Sequence, residues 1–325
     1  MKKVALILFF TNIVLYAQSY PPAAGQPGST AIPANSQLLV SWATGIELAR
    51  GFVDISNPST EHNGSNYASF GEPEDALGPA ANSAVSLGDA GEAVLTFGVP
   101  ITDGPGFDFA VFENSFSDTF LELAFVEVSS DGINYFRFPS HSETQTNTQV
   151  EGFGNLEPTF LNNFAGKYRA LFGTPFDLSE LQENPLLDKN SITHIKIIDV
   201  VGSINPQFSS YDSLGNAVND PFNTPFFTGG FDLAAVGVLN EQLLGIVEEQ
   251  VLALKIYPNP VSTQLFINAP YLIKIRIYDM QGREVFSGTK KGNDGLDVSK
   301  FENGMYILRA NHNGVIIQHR FIKSS

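Results

Sequence analysis

The fold of this chain is decided by a stretch that reads Leu123-Ala124-Phe125-Val126-Glu127-Val128-Ser129-Ser130-Asp131-Gly132-Ile133-Asn134-Tyr135-Phe136-Arg137-Phe138. Leu123–Ser129 is rich in apolar and β-branched residues, as is typical of a strand, and Tyr135–Phe138 has the same character. Ser130-Asp131-Gly132 between them is a turn signal, because Gly adopts the backbone angles of tight turns without steric cost. The stretch therefore predicts a β-hairpin.

The same pattern recurs on both sides of this hairpin. Short apolar runs interrupted by Gly, Pro, Asn and Asp predict further strands, for example Ala93–Phe97, Phe107–Phe112, Ile195–Val201 and Phe231–Leu239. Many short strands separated by turns favour an all-β fold, a jelly roll or β-sandwich. Ile46–Phe52 and Leu178–Gln182 are the candidate short helices, the second with Asp177 as its N-cap.

The beginning of the chain predicts export. Met1-Lys2-Lys3 precedes an apolar run from Val4 to Tyr16, and residues 1–17 fit a signal peptide. The run is too short to cross a bilayer, and no later run of roughly 20 apolar residues predicts a membrane span.

Composition limits the chemistry further. The chain has no Cys, so disulfides, thiolate catalysis and Cys-ligated zinc are excluded. Residues 18–243 hold 27 Asp and Glu against 6 Lys and Arg, whereas residues 244–325 hold 7 against 10. The excess of negative charge in residues 18–243 disfavours binding of nucleic acid and favours binding of cations, Ca²⁺ in particular. The alternative is that the acidic residues serve only to keep the protein soluble.

Three motifs near the end of the chain occur in a fixed order: Leu254-Lys255-Ile256-Tyr257-Pro258-Asn259-Pro260, Ile277-Tyr278-Asp279-Met280-Gln281-Gly282-Arg283 and Asn303-Gly304-Met305-Tyr306-Ile307-Leu308. They resemble the type A C-terminal sorting domain of the Bacteroidetes type IX secretion system. The resemblance implies a small β-sandwich at 253–325 that contacts the secretion machinery and directs the protein to the cell surface or the medium. Residues 244–252 are the predicted linker, and 18–243 the exported cargo domain.

The cargo domain carries a weaker resemblance. Val128-Ser129-Ser130-Asp131-Gly132 and Gly230-Phe231-Asp232-Leu233 resemble segments of galactose-binding-like jelly rolls. Together with Val111-Phe112-Glu113-Asn114 and Asp199-Val200-Val201-Gly202, they are also similar to a group of bacterial cell-surface proteins. Some distant relatives in that group are linked to corrinoid uptake, which implies no binding residue in this chain.

Two sets of oxygen-bearing side chains are candidate calcium ligands. Asp212, Asn216, Asn219 and Asp220 surround Gly215 in a stretch without an apolar run, and such oxygens suit Ca²⁺. A loop of Asx-turns explains that stretch equally well. The second set lies at predicted strand ends, where hydrogen bonding to loop amides is the alternative; it comprises Glu113, Asn114, Asp199 and Asp232.

Loop aromatics are the candidate ligand-binding residues. Phe222, Phe226 and Phe227 lie among prolines, and Trp42 is the only Trp. Such rings stack on sugars or other planar ligands, or they close the end of a sandwich.

No catalytic set emerges from the sequence. A nucleophile elbow, a zinc-protease motif and a phosphate loop are all missing from it. The sequence thus predicts an exported protein that binds a glycan or another extracellular small molecule, including a corrinoid, with Ca²⁺ stabilising it. A structural adhesin or matrix protein and a polysaccharide hydrolase are the alternatives.

Overall fold

A computed structural model describes residues 20–242, 254–312 and 315–325. The chain divides into two compact units between Gln242 and Leu243. The predicted signal peptide at 1–17 and the predicted linker at 244–252 lie outside the described residues.

The first unit is built from short strands and three turns of 3₁₀ helix. Its strands, in chain order, are β1 (Ile32–Pro33), β2 (Ser41–Trp42), β3 (Gly45–Ala49), β4 (Val85–Ser86), β5 (Glu92–Ile101), β6 (Phe109–Glu113), β7 (Ala124–Ser129), β8 (Phe136–Arg137), β9 (His141–Ser142), β10 (Leu161–Asn162), β11 (Phe172–Phe176), β12 (Ile192–Asp199) and β13 (Asp232–Val238). The 3₁₀ turns are Pro73–Ala76, Pro158–Phe160 and Leu178–Glu180.

Two sheets make the body of this unit. One has the strand order β1-β11-β6-β13-β2 with β4 beside β13, and the other has the order β3-β5-β12-β7-β8. Val111 and Val236 of the first sheet share one buried cluster with Leu95, Val126 and Ile197 of the second, so the sheets pack face to face around it. The predicted all-β class is confirmed.

The hairpin at the centre of the sequence prediction also forms. β7 and β8 are antiparallel, with Glu127 opposite Arg137 and Val128 opposite Phe136. Ser129 Oγ accepts the Gly132 N–H at 2.9 Å, and Asp131 Oδ1 accepts the Ile133 N–H at 2.8 Å, so the turn is held by the residues that predicted it.

One of the two predicted helices is wrong and the other is short. The stretch predicted as a helix at Ile46–Phe52 is strand β3 at its start, because its alternating side chains pair with β5, Glu47 opposite Val94. Leu178–Glu180 is a 3₁₀ turn whose N-cap is Asp177, and the Asp177 carboxylate accepts the Ser179 N–H at 2.9 Å.

The second unit is a β-structure with its own core. Its strands are β14 (Lys255–Tyr257), β15 (Gln264–Asp279), β16 (Glu284–Asp297), β17 (Gly304–His312) and β18 (Val315–Lys323). The register of β15 against β16 shifts between Ala269 and Ile273, and Leu265 before the shift shares a buried cluster with Ile275 and Ile277 after it. Among the helical segments of the described residues, none has the length and apolar character needed to cross a membrane.

Candidate functional site: an aromatic cavity over buried carboxylates

Five acidic side chains gather where strands of both sheets of the first unit end. β6 finishes at Glu113 and its neighbour β13 starts at Asp232, with Leu233 opposite Glu113. In the facing sheet, β12 finishes at Asp199 opposite the first residue of β7, and Glu122 lies two residues before β7. Asp220 comes from the loop that precedes β13. We call these five residues the carboxylate cluster: Glu113, Glu122, Asp199, Asp220 and Asp232.

Hydrogen bonds tie the loops of the carboxylate cluster together. Asp199 Oδ1 accepts the Phe231 N–H at 2.7 Å and Asp199 Oδ2 accepts the Ala90 N–H at 3.0 Å. The contact requires glycine at position 230, because Gly230 has a φ of +73° and a Cβ there would lie only 2.8 Å from Asp199 Oδ1. Asp199 therefore fixes the chain immediately before Asp232.

A second set of bonds fixes the opposite side. Asp220 Oδ2 accepts the Leu123 N–H at 2.8 Å, and Glu113 Oε2 accepts the Ser115 N–H at 2.7 Å. Ser86 Oγ donates to Asp232 Oδ1. Asp220 Oδ1, in contrast, is buried and has no hydrogen-bond partner.

Burial sets the electrostatics of the cluster. It raises the pKa of Glu113 and of Glu122 well above the ordinary range, and the negative charge of Asp232 raises both further. Burial likewise raises the pKa of Asp199 and of Asp220 well above the ordinary value, and that of Asp232 to about 7. In the absence of a cation, these buried carboxylates therefore bind a proton more readily than solvent-exposed carboxylates do.

A cavity of about 180 Å³ opens above the carboxylate cluster. Glu122 and Asp232 form its acidic part, and Asn114, Thr224 and Thr228 add polar groups. The rest of the wall is aromatic apart from Gly152; it consists of Phe70, Phe116, Phe120, Phe153 and Phe226.

The aromatic wall belongs to a continuous aromatic array of six Phe and His62. Neighbouring ring centres are 5.2 Å apart for Phe116–Phe120, 6.2 Å for Phe120–Phe153 and 5.6 Å for Phe153–Phe226. His62 continues the array, with centres 5.9 Å from Phe226 and 5.3 Å from Phe227, and Phe227 lies 6.0 Å from Phe70. Phe116 is 81% exposed and Phe153 72%, which is far more than a Phe that only closes the sandwich would be.

Of the four predicted ligand-binding aromatic residues, two lie at the cavity and two lie away from it. Phe226 lines the cavity, and Phe227 joins the array next to it through His62. Phe222 is absent from the cavity wall. Trp42 lies on β2 and packs on Phe112, with ring centres 5.4 Å apart, also away from the cavity.

Hydrogen bonds hold the loop that contains the predicted calcium ligands. Asp212 Oδ1 accepts the N–H groups of Leu214 and Asn216, and Asp212 Oδ2 accepts the Ser142 N–H and the side-chain amide of Asn216. Asn219 bonds a different segment, residues 145–150, and Asp220 turns to Leu123. Asp212, Asn219 and Asp220 thus accept the N–H groups of three different residues, Ser142, Val150 and Leu123, while Asn216 donates its side-chain amide to Asp212. The bonds around Asp212 have the form of an Asx-turn.

The predicted strand-end set, by comparison, is brought together. Glu113, Asp199 and Asp232 belong to the carboxylate cluster, and Asn114 lines the cavity beside Asp232, whose carbonyl accepts the Asn114 N–H at 3.2 Å. Sequence reasoning missed Glu122, although its place just before a predicted strand was a signal of the same kind.

A third acidic group lies elsewhere in the first unit. It consists of Asp103, Asp108 and Asp177, and one carboxylate oxygen of each lies within 4.8 Å of those of the other two. Asp108 is already satisfied, since it accepts N–H groups of Gly104 and Leu178 at 2.8 and 2.7 Å. These bonds connect two loops, which is a structural role.

Comparison with known proteins identifies the second unit. Residues 255–324 match the family described as the secretion system C-terminal sorting domain. The type IX sorting domain predicted from the tail is confirmed, and the protein is exported to the cell surface or beyond it. No curated protein matches the chain.

Solved structures give only faint likenesses. A biofilm-associated protein BSP domain is 11% identical, with a TM-score of 0.21 over 74% of this chain and 48% of that one. A β-glucuronidase from Ruminococcus gnavus is 10% identical, with a TM-score of 0.23 over 90% and 45%. One from Parabacteroides merdae is 9% identical, with a TM-score of 0.24 over 90% and 36%. This chain thus spans about half or less of each, and such low scores carry no argument about activity.

Proposed function

We propose that the exported protein binds a glycan or another extracellular small molecule in the aromatic cavity. The observation that carries the proposal is the exposed aromatic array, which converges on a cavity with carboxylates in its wall. An exported soluble protein rarely displays so many contiguous aromatic side chains without a partner for them.

The aromatic part and the acidic part of the cavity wall suit the apolar face and the hydroxyl groups of one ligand. Phe116, Phe120 and Phe153 offer flat apolar surfaces for the C–H face of a sugar ring or for another planar group. Glu122 and Asp232 accept hydrogen bonds from hydroxyl groups at the inner end. A cavity of about 180 Å³ holds one ring-sized group, so the rest of the ligand would lie over the exposed rings. A corrinoid could enter only with a peripheral group.

A binding screen with matched variants tests this function. The full chain is exposed to a glycan array and to corrinoids, and each hit is measured by titration calorimetry. We expect Phe116→Ala and Phe153→Ala each to weaken binding about fivefold, because each removes a stacking surface worth about 1 kcal/mol. Ile133→Ala is the control, since Ile133 is equally exposed, at 81%, in the β7–β8 turn.

The proposal would be overturned if the array variants bound every hit as the wild type does. A screen without any hit would also count against it and would favour the structural adhesin alternative.

The hydrolase alternative has one specific observation in its favour. Glu122 and Asp232 line the same aromatic cavity, and glycoside hydrolysis uses a pair of carboxyl groups. Release of new reducing ends from a bound glycan, lost in Glu122→Gln while binding persists, would establish it. Binding without turnover would leave the protein as a binding module.

A further inference from the structure

We infer that the group held in the aromatic cavity carries a positively charged nitrogen, so that the ligand is an organic ammonium compound: an unacetylated amino sugar or a choline-type head group. This inference rests on the proposed function, because it names the chemical class of the ligand that would occupy the same cavity.

The acidic part of the cavity wall has no positive partner in the protein. Glu122 and Asp232 both line the cavity, and none of the ion pairs among the described residues includes either of them. Of the six Lys and Arg in residues 20–242, four pair with other acids and two, Arg50 and Lys167, donate to backbone carbonyls. Carboxylates that are partly or fully buried without a basic partner need either a proton or a cation from solution.

Glu122 is the more informative of these two acids. Leu121 and Leu123, on either side of it, pack in one buried apolar cluster, so the Glu122 side chain between them lies on the other side of the chain. Its carboxylate accepts no hydrogen bond among the described residues. A carboxylate without a donor, in the wall of a cavity, suits a ligand that brings its own donor and positive charge.

The spacing of the acids suits an organic cation and not a metal ion. A metal ion such as Ca²⁺ requires several oxygens about 2.3–2.6 Å from one point. Among the described residues, no three acids of the carboxylate cluster have oxygens within 4.8 Å of one another. An ammonium group does not need that convergence, because each of its N–H groups bonds a separate acceptor, and a fully methylated nitrogen attracts a carboxylate through its charge.

The aromatic part of the wall adds a second attraction for positive charge. The face of a Phe ring is negatively polarised and attracts a cation within about 6 Å of its centre. Elsewhere in the first unit the protein's own cations take such positions, as Arg137 does over Phe125 at 4.3 Å and Lys196 over Tyr135 at 4.2 Å. No described Lys or Arg lies over any of the five Phe rings of the cavity wall. These rings are therefore available to a cation that the ligand supplies.

A neutral sugar would use this cavity less completely. Its hydroxyl groups can bond to Glu122 and Asp232 but cannot compensate a negative charge there, so the acids would keep their protons. An ammonium group takes the place of one such proton as the positive partner. The rest of the first unit favours its approach, because residues 18–243 hold 27 Asp and Glu against 6 Lys and Arg.

Titration calorimetry of the full chain with two matched pairs of ligands tests the inference. One pair is choline and the alcohol in which carbon replaces the nitrogen of choline. The other pair is protonated glucosamine and glucose. We expect the charged member of at least one pair to bind about tenfold more tightly than its neutral match, because the cation gains both ring faces and a carboxylate. The pair that shows the preference identifies the source of the charge, a quaternary ammonium or an amino sugar.

Failure of the inference is distinguishable from failure of the proposed function. Equal affinities within both pairs would overturn the inference and leave the proposed function standing, because the cavity would still bind a ligand. Binding of none of these compounds would also overturn it, and the glycan and corrinoid screen would then decide the proposed function by itself.

Variants locate the group that recognises the charge. Glu122→Gln keeps the size of the side chain and removes its charge, and Asp232→Asn keeps an acceptor for Ser86 Oγ. In each variant we expect the preference for the charged ligand to fall about threefold or more, while the affinity for the neutral ligand changes less than about twofold. Glu47→Gln is the control, since Glu47 is exposed on β3 and loses the same charge away from the cavity.

Thermal unfolding shows whether each variant is folded, and either site variant suffices if the other is not. The inference fails if the preference survives in the folded site variants, or if the control loses it to the same extent.

Discussion

Asn219 distinguishes a structural loop from a calcium loop, and the substitution Asn219→Asp separates the two directly. The side chain is fully buried and makes four hydrogen bonds. Its Oδ1 accepts the Val150 N–H at 2.9 Å and Gln149 Nε2–H at 3.1 Å. Its Nδ2 donates to the carbonyls of Gln145 and Thr148 at 2.6 and 2.8 Å.

The substitution keeps the size of the side chain and removes both donors. Two buried carbonyls would then face a carboxylate oxygen, and each unsatisfied acceptor costs about 1–3 kcal/mol. Protonation of the new acid would restore one donor, so we expect a loss of roughly 3 kcal/mol in the free energy of unfolding. A calcium ligand would behave oppositely, because a carboxylate binds Ca²⁺ more strongly than an amide does.

The assay is urea unfolding followed by Trp42 fluorescence, with chelator and again with Ca²⁺. Asn147→Asp is the matched control, since Asn147 is exposed in the same segment and gains the same charge. It should change stability by no more than about 0.5 kcal/mol. The structural interpretation of Asn219 fails if Asn219→Asp costs less than about 1 kcal/mol, or if Ca²⁺ stabilises that variant more than the wild type.

Three further predictions rest on other parts of the first unit. Gly166→Ala should prevent folding or lower the stability several times more than Gly215→Ala does. A Cβ at Gly166 would lie 1.8 Å from the Glu122 carbonyl oxygen, whereas a Cβ at Gly215, which has a similar φ, would meet open space. Thermal unfolding of both variants measures the difference. Burial lowers the pKa of Lys167 to about 7, so below pH 7 the fold carries the full cost of a buried ammonium, and that cost is relieved as pH rises toward the unfolded value. The stability of Lys167→Met relative to wild type should therefore fall by roughly 2 kcal/mol between pH 7 and 9 in urea titrations, and a constant difference would contradict the shift. Trp42→Phe should bind any cavity ligand as tightly as wild type in calorimetry, because Trp42 packs on Phe112 and not on the aromatic array.

The fold was predictable where local pattern and pairing agree. Leu123–Phe138 contains both strands and the turn between them, so its hairpin needs no distant information. Ile46–Phe52 was mistaken for a helix because its pairing with β5 is set by residues more than 40 positions away. Which strands become neighbours, such as β6 beside β13, is decided by the packing of the two sheets and has no local sequence signal.

The site was predictable only in part, for a similar reason. Glu113, Asp199 and Asp232 are recognisable as acids at strand ends, and the sheets place those ends together. The use of Asp212 and Asn219 to hold loops depends on partners, Ser142 and Val150, that are distant in the sequence. Phe116 and Phe153 resemble any loop aromatic until the fold brings them beside Phe226.

The position of the last strand of the first unit constrains when the unit can fold. β13 lies inside its sheet, between β6 and β2, and β12 lies inside the other between β5 and β7. Until residue 238 is available, β6 has an open edge where β13 belongs, and an unpaired edge invites pairing with other chains. The unit should therefore fold late and in one step, after nearly all of its chain has been made. Truncation before Asp232 should yield aggregates, not a smaller folded domain.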